Sequence, residues 1–120
     1  MTIRSHRLSA VLPVRPDVRG WNSGELAKAM CDLARSAGFH PMADVGTDFE
    51  PFGASAVVLL QESHVAVHLW PELNKLTLDI HVCDYSQDNQ PGAERLAGYL
   101  VDVFCPPDCR ADWAVSTVEG

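Results

Sequence analysis

Three β-type segments following one another between Ser55 and Cys83 constrain this chain most. SAVVLLQ (Ser55–Gln61) is a continuous apolar run, whereas HVAVHLW (His64–Trp70) and KLTLDIHVC (Lys75–Cys83) alternate apolar with polar residues. The joints between them are too short for anything but tight turns, so the three segments must form an antiparallel meander. In the middle segment Val65, Val67 and Leu69 take one face, while His64, Ala66, His68 and Trp70 take the other. Leu76, Leu78, Ile80 and Val82 are the matching apolar set of the next strand, opposed by Thr77, Asp79, His81 and Cys83. If both apolar sets meet one core, a one-residue slip is forbidden. The register then expected sets His68 near Asp79 and Cys83 near His64, with Ser63 beside them.

The flanks supply the second layer. HRLSAVLPV near the start alternates as a strand. After the PDVRGW loop, Asn22 and Glu25 form a capping box for a helix carrying Leu26, Ala29, Met30, Leu33 and Ala37, stopped by Gly38. A weaker strand spans about Pro41 to Glu50. Pro91 opens a second helix bearing Leu96, Leu100, Val101 and Phe104, and DWAVSTV closes the chain as a strand. The order β-α-β-β-β-β-α-β implies a two-layer α+β sandwich, a mainly antiparallel sheet with two helices on one face. At 120 residues, 47% of them hydrophobic, this is a single domain, residues 1–120, for which pairing with a second copy is an ordinary way to bury more surface.

Composition excludes several functions. A net charge of −7 offers no basic footprint for nucleic acid or an anionic membrane. There is no bilayer-length apolar run and no leader pattern at the N-terminus, so the expected compartment is the cytoplasm. There the four cysteines, Cys31, Cys83, Cys105 and Cys109, are expected as free thiols. The Cys105-x-x-x-Cys109 pair has no partner pair to complete a tetrahedral zinc set, and no metal is expected.

Two imidazoles, a serine and a thiol on or beside one strand face could be an ordinary solvated surface. A Ser-His-Asp hydrolase is disfavoured, because Ser63 is on no Gly-x-Ser-x-Gly elbow. The string Glu62-Ser63-His64-x-x-x-His68-x-Trp70-Pro71-Glu72, followed by Asp79 and Cys83, resembles the small prokaryotic S-adenosylmethionine decarboxylases. The likeness is dense from about Phe49, through the Phe52-Gly53-Ala54-Ser55 segment, to Cys83.

The resemblance implies a proenzyme that cuts itself between Glu62 and Ser63. Residues 1–62 become the β chain and 63–120 the α chain, with Ser63 converted to a covalent pyruvoyl group, the cofactor. That ketone would take up the amine of S-adenosylmethionine and draw electrons as CO2 leaves, the product being the aminopropyl donor for spermidine. The same resemblance implies that Ser55 and His68 assist processing, that Cys83 protonates the substrate carbon, that Phe49 and Trp70 contact adenine, and that Glu72 binds the ribose. It also implies a homodimer of processed units whose active site borrows residues from the partner. Departures touch the pocket walls. Ile80-His81-Val82-Cys83-Asp84 stands where many relatives have Phe-Thr before the cysteine and glycine after it. Arg4-Ser5-His6 replaces a frequent Gly-Arg-His, and Leu73-Asn74-Lys75-Leu76 a frequent Gly-Tyr linker. Pyruvoyl-dependent decarboxylation of arginine or ornithine, or an uncleaved binding module, are the alternatives.

Overall fold

A computed structural model describes all 120 residues. Its elements are β1 (Arg4–Pro13), α1 (Ser23–Ser36), β2 (Pro41–Asp48), β3 (Ala54–Leu60), β4 (Ser63–Trp70), a 3-10 turn (Pro71–Leu73), β5 (Lys75–Asp84), α2 (Gln90–Phe104) and β6 (Ala114–Glu119). The element order is the expected one. The strands form one sheet in the order β2-β3-β4-β5-β1-β6, with every neighbouring pair antiparallel. α1 therefore carries the chain from β1, next to one edge of the sheet, to the opposite edge at β2. No helix is long and apolar enough to cross a membrane.

Both helices pack on one face. α1 lies over β2 and β3, α2 over β5 and β1. The capping box at α1 is complete: Asn22 Oδ1 accepts from the Glu25 amide at 2.8 Å and Glu25 Oε1 from the Asn22 amide at 3.0 Å. Asp48 at the end of β2 then takes the Ser23 amide at 2.7 Å and its hydroxyl at 2.9 Å, pinning the helix start to the sheet edge. Gly46 makes that approach possible, because a Cβ there would stand 2.6 Å from Ser23 Cβ.

The core is the expected one. Leu26 and Met30 from α1 and Leu96, Leu100 and Phe104 from α2 cover Val65, Val67, Leu76, Leu78, Ile80 and Val82. The opposite face of the sheet carries no helix, yet Val11, Val45, Leu59 and Val118, which cross-strand pairing puts on it, are exposed there.

The register of β4 on β5 differs from the sequence expectation. Trp70 pairs with Lys75, His68 with Thr77, Ala66 with Asp79 and His64 with His81. His68 is thus not opposite Asp79, nor His64 opposite Cys83; the whole ladder is two residues away. The linker decides it: Pro71–Leu73 wind into a 3-10 turn and Asn74 takes a left-handed φ of 54°, so the chain reverses within four residues.

Candidate active site

The residues singled out in the sequence fall into two clusters. The first is built on the β3–β4 hairpin. Leu60 pairs with Ser63, leaving Gln61 and Glu62 as a two-residue turn. Glu62 has φ 64°, while Gln61 is not left-handed. That sign pattern is the one of a type II turn, which calls for glycine at its second central position. It also twists against the flanking strands, unlike the primed turns that hairpins favour. A glutamate held there stores roughly 1–2 kcal/mol of backbone strain, adjacent to the Glu62–Ser63 peptide bond.

Ser63 follows immediately and is 7% exposed. Its alternation puts it on the helix side of β4, with Val65, rather than on the His64–His68 face. Its Oγ accepts a hydrogen bond from the Cys83 amide at 3.3 Å. The thiol of Cys83 is pushed up by burial and further by the charges of Glu62 and Asp84, so it is held protonated. A thiol so held is an acid rather than a nucleophile.

The backbone beyond Cys83 is tied down from both sides. Asn89 Nδ2 donates to the Cys83 carbonyl at 2.8 Å and the Asn89 amide to Asp84 Oδ1 at 2.8 Å. Asp84 Oδ2 meets His6 Nε2 at 2.8 Å, and His6 Nδ1 meets Thr117 Oγ1 at 2.9 Å. Burial disfavours the Asp84 charge, but the bonds from Asn89 and His6, with Arg4 nearby, hold its carboxyl below the usual range. The link of His6, Asn89 and Thr117 to Asp84 escaped the sequence reading because they lie 78, 5 and 33 positions from it, and no local spacing links the distant two.

The second cluster is at the other end of β4. Ser55 and His68 are direct cross-strand partners, and Ser55 Oγ lies 2.6 Å from His68 Nδ1. They open into a cavity of about 580 Å³ whose walls include Phe49, Phe52, Trp70 and Glu72. Its size suits a small-molecule ligand. Phe49 and Trp70 are 51% and 46% exposed, so two aromatic faces stand free instead of filling a core. A positive φ of 105° at Gly53 turns the chain under this cavity, where a Cβ would meet the Leu69 carbonyl at 3.3 Å.

The expected convergence of hydroxyl, imidazole, carboxylate and thiol does not occur within one chain. Ser63 and His68 are five residues apart on one strand, which is roughly 17 Å. Asp79 is occupied by Ser9 Oγ at 3.0 Å and by Arg7 at 3.8 Å, away from both clusters. Of the seven side chains assigned by resemblance beside Glu62, five line the cavity and two, Ser63 and Cys83, stand at the hairpin.

The strained hairpin, the buried serine and the protonated thiol fit the formation and use of a pyruvoyl group at position 63. The comparisons agree with that chemistry. The structure resembles the crystal structure of the adenosylmethionine decarboxylase from Aquifex aeolicus, with a TM-score of 0.77 at 25% identity, over 96% of this chain and 89% of that one. The S-adenosylmethionine decarboxylase proenzyme of Pyrococcus horikoshii is 28% identical over 103 residues, 86% of this chain and 70% of that relative. The proenzyme of Thermoplasma acidophilum is 45% identical over 58 residues, 48% of this chain and 41% of that one. The fold and the cofactor chemistry are those of a pyruvoyl-dependent decarboxylase. The S-adenosylmethionine decarboxylase family model matches residues 21–116, and the chain belongs to that family.

Proposed function

We propose that this protein cuts itself between Glu62 and Ser63 and then decarboxylates S-adenosylmethionine, yielding the aminopropyl donor for spermidine synthesis. The observation that carries the reading is the single cavity in which Ser55, His68, Phe49, Trp70 and Glu72 meet. Phe49 and Trp70 offer faces on which a purine can stack, and Glu72 offers acceptors for a ribose diol. Arginine and ornithine need neither.

Processing begins with attack of Ser63 Oγ on the Glu62 carbonyl carbon. The C–N bond breaks as the ester forms, and the strain at Glu62 is released in the same step. Elimination of the Glu62 carboxylate, then hydrolysis with loss of ammonia, leaves the pyruvoyl group at the head of the α chain. Ser55 and His68, in hydrogen-bond contact, are the pair that moves the proton. The pyruvoyl group supplies the sink for the electron pair freed as CO2 leaves. Cys83 then gives its proton to the substrate carbon.

Because the two clusters stand at opposite ends of β4, we infer that each site is completed by a second copy. Ser63 and Cys83 of one chain would join Ser55, His68 and the cavity of the other. The helix-free sheet face, with its exposed Val11, Val45, Leu59 and Val118, is the surface available for that pairing. We assign the reaction to the cytoplasm, in keeping with four unpaired cysteines.

The deciding assay offers processed protein S-adenosylmethionine, arginine and ornithine separately and measures released CO2. Only the first should turn over, and Glu72→Gln should raise its KM about tenfold, as expected for a lost charge-assisted bond. Preference for either amino acid would overturn the substrate while leaving the processing chemistry intact.

The strain has its own test. Glu62→Gly should raise stability by about 1 kcal/mol, because glycine accepts the left-handed conformation freely. It should also slow self-cleavage about fivefold to thirtyfold, the equivalent of the 1–2 kcal/mol no longer released. Denaturation midpoints and the time course of chain appearance report the two effects. Cleavage at an unchanged rate would remove strain from the mechanism.

A further inference from the structure

A second imidazole stands beside the thiol that the reading above makes the proton donor. His81 is two residues before Cys83 on β5, and its Nε2 lies 3.5 Å from Cys83 Sγ. The ring stacks on that of His64, its cross-strand partner on β4, with centroids 5.0 Å apart and planes 21° from parallel. Its other nitrogen, Nδ1, is buried and meets no protein partner. A residue kept only for packing gains nothing from that atom, since an apolar ring would fill the place without an orphaned polar group. His81 also lines a cavity of about 230 Å³ with Ser5, Arg7, Ser116 and Val118, room enough for several waters.

We propose that His81 recharges Cys83 between turnovers. Once the thiol has given its proton to the substrate carbon, the thiolate takes a proton from His81 Nε2 while Nδ1 takes one from a water that enters from the neighbouring cavity as the ring shifts. The imidazole ends neutral in its other tautomer, exchange of the ring proton with solvent restores the Nε2–H form before the next turnover, and the solvent has supplied the single proton that replaces CO2 on the product. His81 acts through Cys83 and touches no substrate atom; it is a positioning residue that also carries the proton.

The surroundings favour this direction of transfer. Burial pushes the His81 imidazole below its usual range, with His64 and Arg7 acting in the same sense and Asp79 against them. Burial pushes Cys83 the other way, with Glu62 and Asp84. The resting pair is therefore thiol and neutral imidazole, not the thiolate–imidazolium pair of a cysteine nucleophile. A thiolate generated there by turnover is a strong base 3.5 Å from the His81 nitrogen that can return its proton. The titratable groups facing the ring are His64 from β4, Arg7 from β1, and Asp79 and Cys83 from its own strand.

The inference rests on Cys83 as donor, and the experiment separates the two. Wild type, His81→Phe and Cys83→Ala are processed, mixed with S-adenosylmethionine and quenched on the timescale of one turnover. His81→Phe should release its first equivalent of CO2 as product at the wild-type rate and then slow about tenfold or more. The result is a burst, and free imidazole in the buffer should restore the steady rate. Appearance of both chains reports that the variant has folded; should His81→Phe fail to fold, His81→Gln is tested in the same way. A wild-type steady rate in His81→Phe overturns the proposal, as does equal slowing of first and later turnovers without rescue by imidazole. Cys83→Ala turning over as fast as wild type would instead overturn the assignment beneath it.

Discussion

Ser63→Ala should leave the chain whole. In denaturing mass spectrometry the wild type should resolve into two pieces, the heavier N-terminal fragment ending at Glu62 and the lighter remainder that begins at position 63. The variant should run as one uncut species with no carbonyl at an N-terminus and no decarboxylase activity. The loss should be complete rather than partial, because no neighbouring group can substitute. The other hydroxyl of the β3–β4 hairpin, Ser55, is occupied with His68 Nδ1 at 2.6 Å and sits at the far end of β4. Ser63→Cys is the informative companion: its thiol can make the corresponding thioester and should cleave, more slowly. His68→Ala keeps the nucleophile and the strained turn, so cutting should slow by about 10²-fold, within the usual contribution of a positioned acid–base group. A wild-type protein isolated intact under all conditions, with Glu62 and Ser63 still joined, would favour a binding module over an enzyme.

Faces were legible in the sequence and registers were not, for one physical reason. Slipping β4 by one residue would drive Val65, Val67 and Leu69 out of the core. At about 1.5–3 kcal/mol for each buried side chain, that loss rivals the whole stability of a small domain. A slip of two residues keeps every side chain on its own face and costs nothing in patterning, so alternation could not tell His68–Asp79 from His68–Thr77. What fixes the choice is the 3-10 turn at Pro71–Leu73, a matter of backbone geometry. The α1 start was legible because Asn22 and Glu25 are three residues apart and the box is local. His6 was not, because its partner Asp84 lies across a sheet pairing between the first strand and the fifth. The aspartate that departs from the frequent glycine after the cysteine thus has a structural role in this chain: it anchors β1 and the α2 approach next to Cys83.

Mixing two inactive proteins should restore about a quarter of the wild-type activity. Cys83→Ala damages only the hairpin cluster, and Ser55→Ala or His68→Ala only the cavity cluster. If each site draws one cluster from each copy, a mixed dimer holds one site carrying both defects and one carrying neither. Random exchange of equal amounts makes half of the dimers mixed, each with one of two sites intact, which gives the quarter. Were each site confined to one chain, every site in the mixture would carry a defect and nothing would be recovered. Sedimentation in the same samples should give a species of twice the processed unit. The separation of Ser63 from His68 along β4 favours the first outcome, because roughly 17 Å is several times the reach of a proton transfer made in hydrogen-bond contact. A charge placed on the open sheet face, as in Leu59→Asp, should then separate the copies and abolish turnover, although neither cluster contains the altered residue. Full activity in a monomeric Leu59→Asp protein would sink the shared site and require a rearrangement that brings the two ends of one strand together.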